Sequence, residues 1–298
     1  MRAPVSYRVQ LHPIMLDETA EPSQETARRV QPRRLTLAQT ADRYALYQEA
    51  VQCAEAEVDF VDEIFSTVRG RKAATIREDF CGTALVACEW VTRRPGNVAF
   101  GIDLDPAVLE WARQRNLRKL KTSARTRITL LNEDVMRVKV RPVDAVLAMN
   151  FSYWIFRTRK ELRAYFERVH SALVRDGLFV LDAYGGYDAF RVLRERTAHK
   201  GFTYVWHQAA YNPVTGETTC HIDFSFPDGS RIPRAFTYDW RLWTLPELSE
   251  LLGEAGFRRT TVYWQGWDEE KQEPSDEFYA TERGEPDAGW IAYLVAEK

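Results

Sequence analysis

The residues best placed to do chemistry lie in one stretch, 74–105. A short extended run, Ala74 to Arg77, leads into Glu78-Asp79-Phe80-Cys81-Gly82-Thr83-Ala84, and helical spacing follows at Leu85, Val86, Cys88 and Val91. After the turn signal Pro95-Gly96, a second apolar run from Val98 to Ile102 ends on Asp103. Strand, small-residue turn, helix, strand and acid is the layout of a nucleotide-binding βαβ unit. An acid about 20 residues beyond the glycine turn can accept both hydroxyls of a ribose, so the unit is expected to dock an adenosine. Its turn has one glycine, Gly82, and opens with two carboxylates. A dinucleotide site needs G-x-G-x-x-G, so that backbone N–H groups close on a pyrophosphate. Carboxylates there would repel a diphosphate and would suit a ligand with a cationic amino-acid end.

The elements around this unit alternate. Thr36 to Phe65 reads as helix, with apolar residues near helical spacing from Leu46 to Ile64. Asp105 is the N-cap and Pro106 the first residue of a helix running to Arg118. Ile128–Asn132 is a third strand, followed by Glu133-Asp134-Val135; Val143–Met149 is a fourth, apolar enough to be buried on both faces. Leu162–Val174 is an amphipathic helix, and Leu178–Ala183 a fifth strand. This alternation predicts an α/β, doubly wound, mostly parallel sheet. From 202 to 243 the pattern changes to three extended segments, separated by turn chemistry at 212–216 and 227–230. They are expected to form an antiparallel insert after the fifth strand. Leu245–Ala255 is the last helix, capped by Thr244, and Phe257–Trp264 with Trp290–Val295 suit a closing antiparallel pair. The segment 268–287 between them reads as an acidic loop, and residues 1–34 as a flexible arm beside a 35–298 domain.

On these residues the chain resembles the class I S-adenosylmethionine-dependent methyltransferases, whose first motif is an acid followed by G-x-G-x-G. Here the motif reads E-D-F-C-G-T-A: Glu78 and Gly82 are kept, and Phe80 and Ala84 replace the outer glycines. The insert, followed by T-x-x-E-L-x-x-L-L-x-x-A-G-F from Thr244 to Phe257, is similar to small-molecule N-methyltransferases acting on glycine and on amino sugars of nucleotide-activated deoxysugars. The resemblance implies a Rossmann-like, seven-stranded sheet, a helical cover over 35–68, and S-adenosyl-L-methionine as cofactor. It implies that Glu78 holds the methionine ammonium side, Gly82 admits the backbone, Asp103 holds the ribose, and Asp134 with Val135 holds the adenine. Tyr44 and Tyr47 would cover the cofactor, with Phe80, Cys81, Thr83, Leu104 and Asn150 as further contacts.

Methyl transfer needs alignment and a deprotonated nucleophile. Strand-end residues Ser152, Tyr153, Asp182 and Tyr184 open onto the expected crevice, and His207, His221 and Asp223 could reach in from the insert. The expected catalytic set is Tyr153, Asp182, Tyr184 and His221. His221 titrates near neutral pH, although a histidine on an aromatic strand is as readily a packed residue. Trp154, Trp206, Tyr238, Trp240 and Trp243 could cage a cationic amine.

Composition narrows the function further. Net charge is −2, from 41 basic and 43 acidic residues, so no basic field invites nucleic acid or a membrane surface. No apolar run approaches a membrane span, no signal-peptide core follows Met1, and the four cysteines lack framework spacing. These features place the chain in the cytoplasm with reduced thiols. Five scattered histidines without H-x-x-x-H give no metal site, and G-x-S-x-G is absent. Asn150-Phe151-Ser152-Tyr153 keeps only the ends of the N-P-P-Y tetrapeptide of amino-methyltransferases acting on DNA bases and protein glutamine. The reading is therefore methylation of a nitrogen or oxygen of a small molecule, with room for a homodimer. Its rivals are a protein or RNA methyltransferase and a non-catalytic S-adenosylmethionine-binding protein.

Overall fold

The computed structural model describes residues 34–268, 270 and 273–298. The arm expected over 1–34 thus lies outside the described residues, save Arg34. Residues 36–298 form one compact unit.

The helix expected from 36 to 65 is three helices: α1 (Leu37–Thr40), α2 (Arg43–Val51) and α3 (Ala54–Arg69). Each break has a local cause. Ala41 is extended, and Asp42 restarts the chain by accepting from the Tyr44 and Ala45 N–H groups. Gln52 is extended again, and its side-chain oxygen accepts from the Thr83 hydroxyl at 2.9 Å. The second break sends α2 and α3 to different partners. Leu46, Tyr47 and Val51 of α2 pack on Ile222 and Phe224 of the insert, while Val58, Val61 and Phe65 of α3 enter the main core.

The alternating part follows as β1 (Thr75–Asp79), α4 (Leu85–Arg93), β2 (Val98–Asp103), α5 (Pro106–Arg115), α6 (Thr122–Arg125), β3 (Ile128–Asn132), β4 (Val143–Ala148), α7 (Arg159–Ala172) and β5 (Leu173–Gly185). Asp105 caps α5 ahead of Pro106, and Thr158 with Glu161 closes a capping box on α7. Every residue of β4 is buried. Alternate positions feed two cores: Ala145 and Leu147 meet α3 and α4, and Val146 and Ala148 meet α7. The polar exception, Asp144, accepts from the Ala74 and Thr75 N–H groups, the Thr75 hydroxyl and Arg71. These bonds outweigh burial and hold its carboxyl below the usual range.

The insert is β6 (Leu193–His199), β7 (Phe202–Tyr211), β8 (Glu217–Ser225) and β9 (Arg231–Arg241). It is a four-stranded antiparallel sheet in sequence order, one strand more than expected. After α8 (Leu245–Glu254), capped by Thr244 and Glu247, come β10 (Arg259–Asp268), β11 (Glu273–Ala280) and β12 (Trp290–Glu297). The main sheet runs β11-β10-β12-β5-β4-β1-β2-β3, parallel from β3 to β5 and antiparallel beyond. It has eight strands: the segment read as an acidic loop supplies the edge strand β11. Among the described residues, no helix is long and apolar enough to cross a membrane. The cysteines are free thiols, three of them buried.

Candidate functional site

Two cavities meet at the carboxyl ends of the parallel strands, where open α/β sheets bind ligands. The first, about 280 Å³, is walled by the turn after β1, by Asp103 and Asp105 after β2, and by Tyr44 and Tyr47 of α2. The second, about 350 Å³, lies between the β4 and β5 ends, the insert and β12. Tyr47, Asn150, Tyr238 and Trp240 line both.

The turn of the first cavity takes glycine-like backbone where glycine is missing. Phe80, Gly82 and Ala84 have φ of 57°, 50° and 54°. Left-handed conformation costs a residue with a Cβ about 1–2 kcal/mol, so the fold imposes this path against local preference. Its supports are visible. Asp103 accepts from the Gly82 N–H at 2.7 Å and the Asp105 N–H at 2.9 Å. Thr83 is latched to Gln48 and Gln52 of the cover, and its carbonyl accepts from Asn116. The Phe80 ring packs on Phe156 and Tyr165. A Cβ on Gly82 would meet nothing within 4 Å, so open space faces the turn at its one glycine.

The two leading acids of the motif do different things. Asp79 is buried, paired with Arg77 at 2.7 Å and bonded by the Tyr165 hydroxyl at 2.9 Å. Glu78 lines the cavity and accepts from the Ala87 N–H at 2.9 Å, so it also caps α4, whose N-cap Ala84 has no side chain to do so. Burial, reinforced by the nearby Glu57, pushes the Glu78 carboxyl well up. A cationic ligand end would relieve that energy, and no diphosphate would. Glu78, the open face of Gly82 and Asp103 thus give the cavity a lining that suits a ligand with a cationic end, as S-adenosylmethionine has.

Glu57, on α3, escaped the sequence reading. It is buried, and its Oε2 has no hydrogen-bond partner. Burial, then the Asp182 charge, raises its carboxyl to about 8. Between an unfolded value near 4.5 and that value, the folded chain keeps a proton the unfolded chain releases. Stability therefore falls as pH rises from about 5 to 8. Glu57→Gln should raise the midpoint of thermal unfolding at pH 8 by about 5 °C or more and leave it unchanged at pH 5. Equal shifts at both values would contradict this.

At the shared wall, Asn150 and Phe151 both take positive φ, 58° and 56°. Asp182 holds them: its two carboxylate oxygens accept from the Asn150 N–H at 2.7 Å and the Phe151 N–H at 2.9 Å. Burial lifts its carboxyl to about 7 against those bonds. Asp182 lines neither cavity, so the catalytic assignment is corrected to a positioning one. Tyr153 is corrected likewise, being fully buried with its hydroxyl donated to the Asp182 carbonyl at 2.7 Å. His221 is the third correction. Its neighbour Ile222 lines the second cavity, so strand alternation turns His221 to the other face, where Nδ1 meets the Thr237 hydroxyl at 3.0 Å. Tyr184 does line the second cavity, and burial raises the pKa of its hydroxyl, keeping it protonated as a donor and not a base.

The cofactor set divides similarly. Tyr44, Tyr47, Glu78, Phe80, Cys81, Gly82, Thr83, Asp103 and Asn150 line the first cavity. Leu104, Asp134 and Val135 do not: Leu104 is 65% exposed, and Asp134 accepts from the Met136 N–H at 2.8 Å as a turn cap. Glu195, Gln265 and Trp290 complete the second cavity without having been read from the sequence. Among the described residues, no cluster of three or more His, Cys, Asp or Glu is set to hold a metal ion.

Residues 79–181 match the family model described as a methyltransferase domain. No curated protein matches the chain. An S-adenosylmethionine-dependent methyltransferase from Clostridium acetobutylicum superposes with a TM-score of 0.62 at 16% identity, covering 85% of this chain and 96% of that one. An amino pentose methyltransferase of calicheamicin biosynthesis from Micromonospora echinaspora, solved with S-adenosylmethionine bound, gives 0.60 at 18% identity over 85% and 95%. A sugar N-methyltransferase from Streptoalloteichus gives 0.58 at 17% identity over 93% and 99%. The chain is built on the class I fold of S-adenosylmethionine-dependent methyltransferases, and its residues 79–181 match a methyltransferase domain.

Proposed function

We propose that this S-adenosylmethionine-dependent methyltransferase methylates a nitrogen of a small-molecule amine. The observation that carries the reading is the meeting of two unlike cavities at Tyr47, Asn150, Tyr238 and Trp240. One presents Glu78 and Asp103; the other is walled by Tyr184, Tyr204, Trp206, Tyr238, Trp240 and Trp290, with Glu195 the one carboxylate among the described lining residues. S-adenosylmethionine, when bound, supplies an electrophilic methyl group. Glu78 and Gly82 hold its amino-acid end, Asp103 holds its ribose, and Tyr44 and Tyr47 close over it.

The choice of nitrogen over oxygen rests on what is missing at the shared wall. An oxygen nucleophile needs a base beside it, whereas a neutral amine carries its own lone pair. Asp182, Tyr153 and His221 do not face either cavity. Aromatic faces with one carboxylate attract an ammonium and exclude water. The amine then leaves its proton to solvent past the exposed Glu195 before reaching Asn150. An amino pentose methyltransferase and a sugar N-methyltransferase among the neighbouring structures support the same reading.

With labelled S-adenosylmethionine, amine acceptors should take up label and their hydroxyl counterparts should not. Turnover should climb with pH as the amine loses its proton. Preferred labelling of the hydroxyl series, or of protein or RNA, would overturn the proposal.

A further inference from the structure

A third cavity, about 450 Å³, adjoins the second, and Tyr184, Gly185 and Trp290 line both. The shared wall is tightly built. A Cβ on Gly185 would lie 2.1 Å from the Trp290 ring, so the indole rests directly on the β5 backbone. A Cβ on Gly186 would lie 2.3 Å from the Ala288 carbonyl, which also accepts from the Asp188 N–H at 2.9 Å. Trp264 packs on Trp290 with ring centres 4.9 Å apart. The far walls are apolar, with Phe190, Leu242 and Trp243 among them.

Charge is the discriminating feature. Among the described residues, those lining the two cavities include the carboxylates Glu195, Glu285 and Asp287, and no Lys, Arg or His. A diphosphate brought there would be repelled by these carboxylates, with no cation among the described lining residues to offset it. We propose that the acceptor is an extended amine without phosphate: an ammonium-forming nitrogen at Asn150 joined to an uncharged aromatic or apolar body that runs past Trp290 into the third cavity. This rests on the amine reading above and separates this chain from enzymes whose amino sugar is carried on a nucleotide.

The test uses the full chain with S-adenosylhomocysteine present and three probes: benzylamine, 4-phenylbenzylamine and UDP-glucosamine. Calorimetry should show 4-phenylbenzylamine bound about tenfold or more tighter than benzylamine, as expected for a second buried ring. UDP-glucosamine should neither bind nor displace it. Trp290→Ala, checked for folding by circular dichroism, should erase the advantage of the second ring. UDP-glucosamine binding as well as the two-ring amine, or equal affinities for the one- and two-ring amines, would overturn the inference. Tight binding of the two-ring amine with no label transferred to any amine would uphold the cavity assignment and sink the proposed reaction, so the two failures are separable.

Discussion

Asp103→Ala lowers the affinity for S-adenosylmethionine and S-adenosylhomocysteine by about a hundredfold, the equivalent of two charge-assisted hydrogen bonds only partly replaced by water. The substitution removes the proposed ribose acceptor and also frees the Gly82 N–H, which Asp103 holds at 2.7 Å. A turn with Phe80 and Ala84 in left-handed conformation has little reason to keep its path once that tie is gone. Asp103→Asn keeps one acceptor and should lose about tenfold. Calorimetry on the three proteins checks the order. Equal affinity in wild type and Asp103→Ala would remove Asp103 from the site.

Asp182→Ala strikes the other end of the site. It strands the Asn150 and Phe151 N–H groups in a half-buried turn with two consecutive left-handed residues. Each unpaired donor costs about 1–3 kcal/mol, so unfolding in urea should show a loss of about 2–5 kcal/mol. Asn150 lines both cavities, and a displacement of about 1 Å there costs on the order of a hundredfold in turnover. Asp182→Asn can accept only one of the two bonds and should recover part of both losses. Affinity for the cofactor, anchored at Glu78 and Asp103, should change far less than turnover. A variant that keeps its stability and loses only turnover would mean that Asp182 acts on the substrate and not through the turn.

The sheet and its order of acids could be read from the sequence because the signals were local. Buried parallel strands show as apolar runs, as in Val143–Ala148, and helix starts show as caps, as at Asp105 and Thr244. The two strands that were missed, β6 and β11, are edges of their sheets, and edges are kept polar. LRERTAH and EPSDEFYA carry no apolar alternation for that reason. Glu57 was hidden by the opposite effect: it occupies a core-facing position of α3, where periodicity predicts an apolar residue.

Residue type alone does not give the direction in which a side chain points. His221 and Ile222 are consecutive on β8, and only the second faces the site; parity alone could have shown this once the cavity side was known. Asp182 sits at the expected strand end, yet its partners are backbone groups 32 and 31 residues away, which no spacing rule reveals. The break at Gln52 is similar, since it turns on a bond to Thr83 across 31 positions.

A crystal structure with S-adenosylhomocysteine tests the central claim most directly. The ribose should lie on Asp103, the amino-acid end beside Glu78 and Gly82, and the sulfur should be directed at Asn150, where the two cavities meet. A ligand lodged in another cavity, or an adenosine turned away from Asp103, would contradict it.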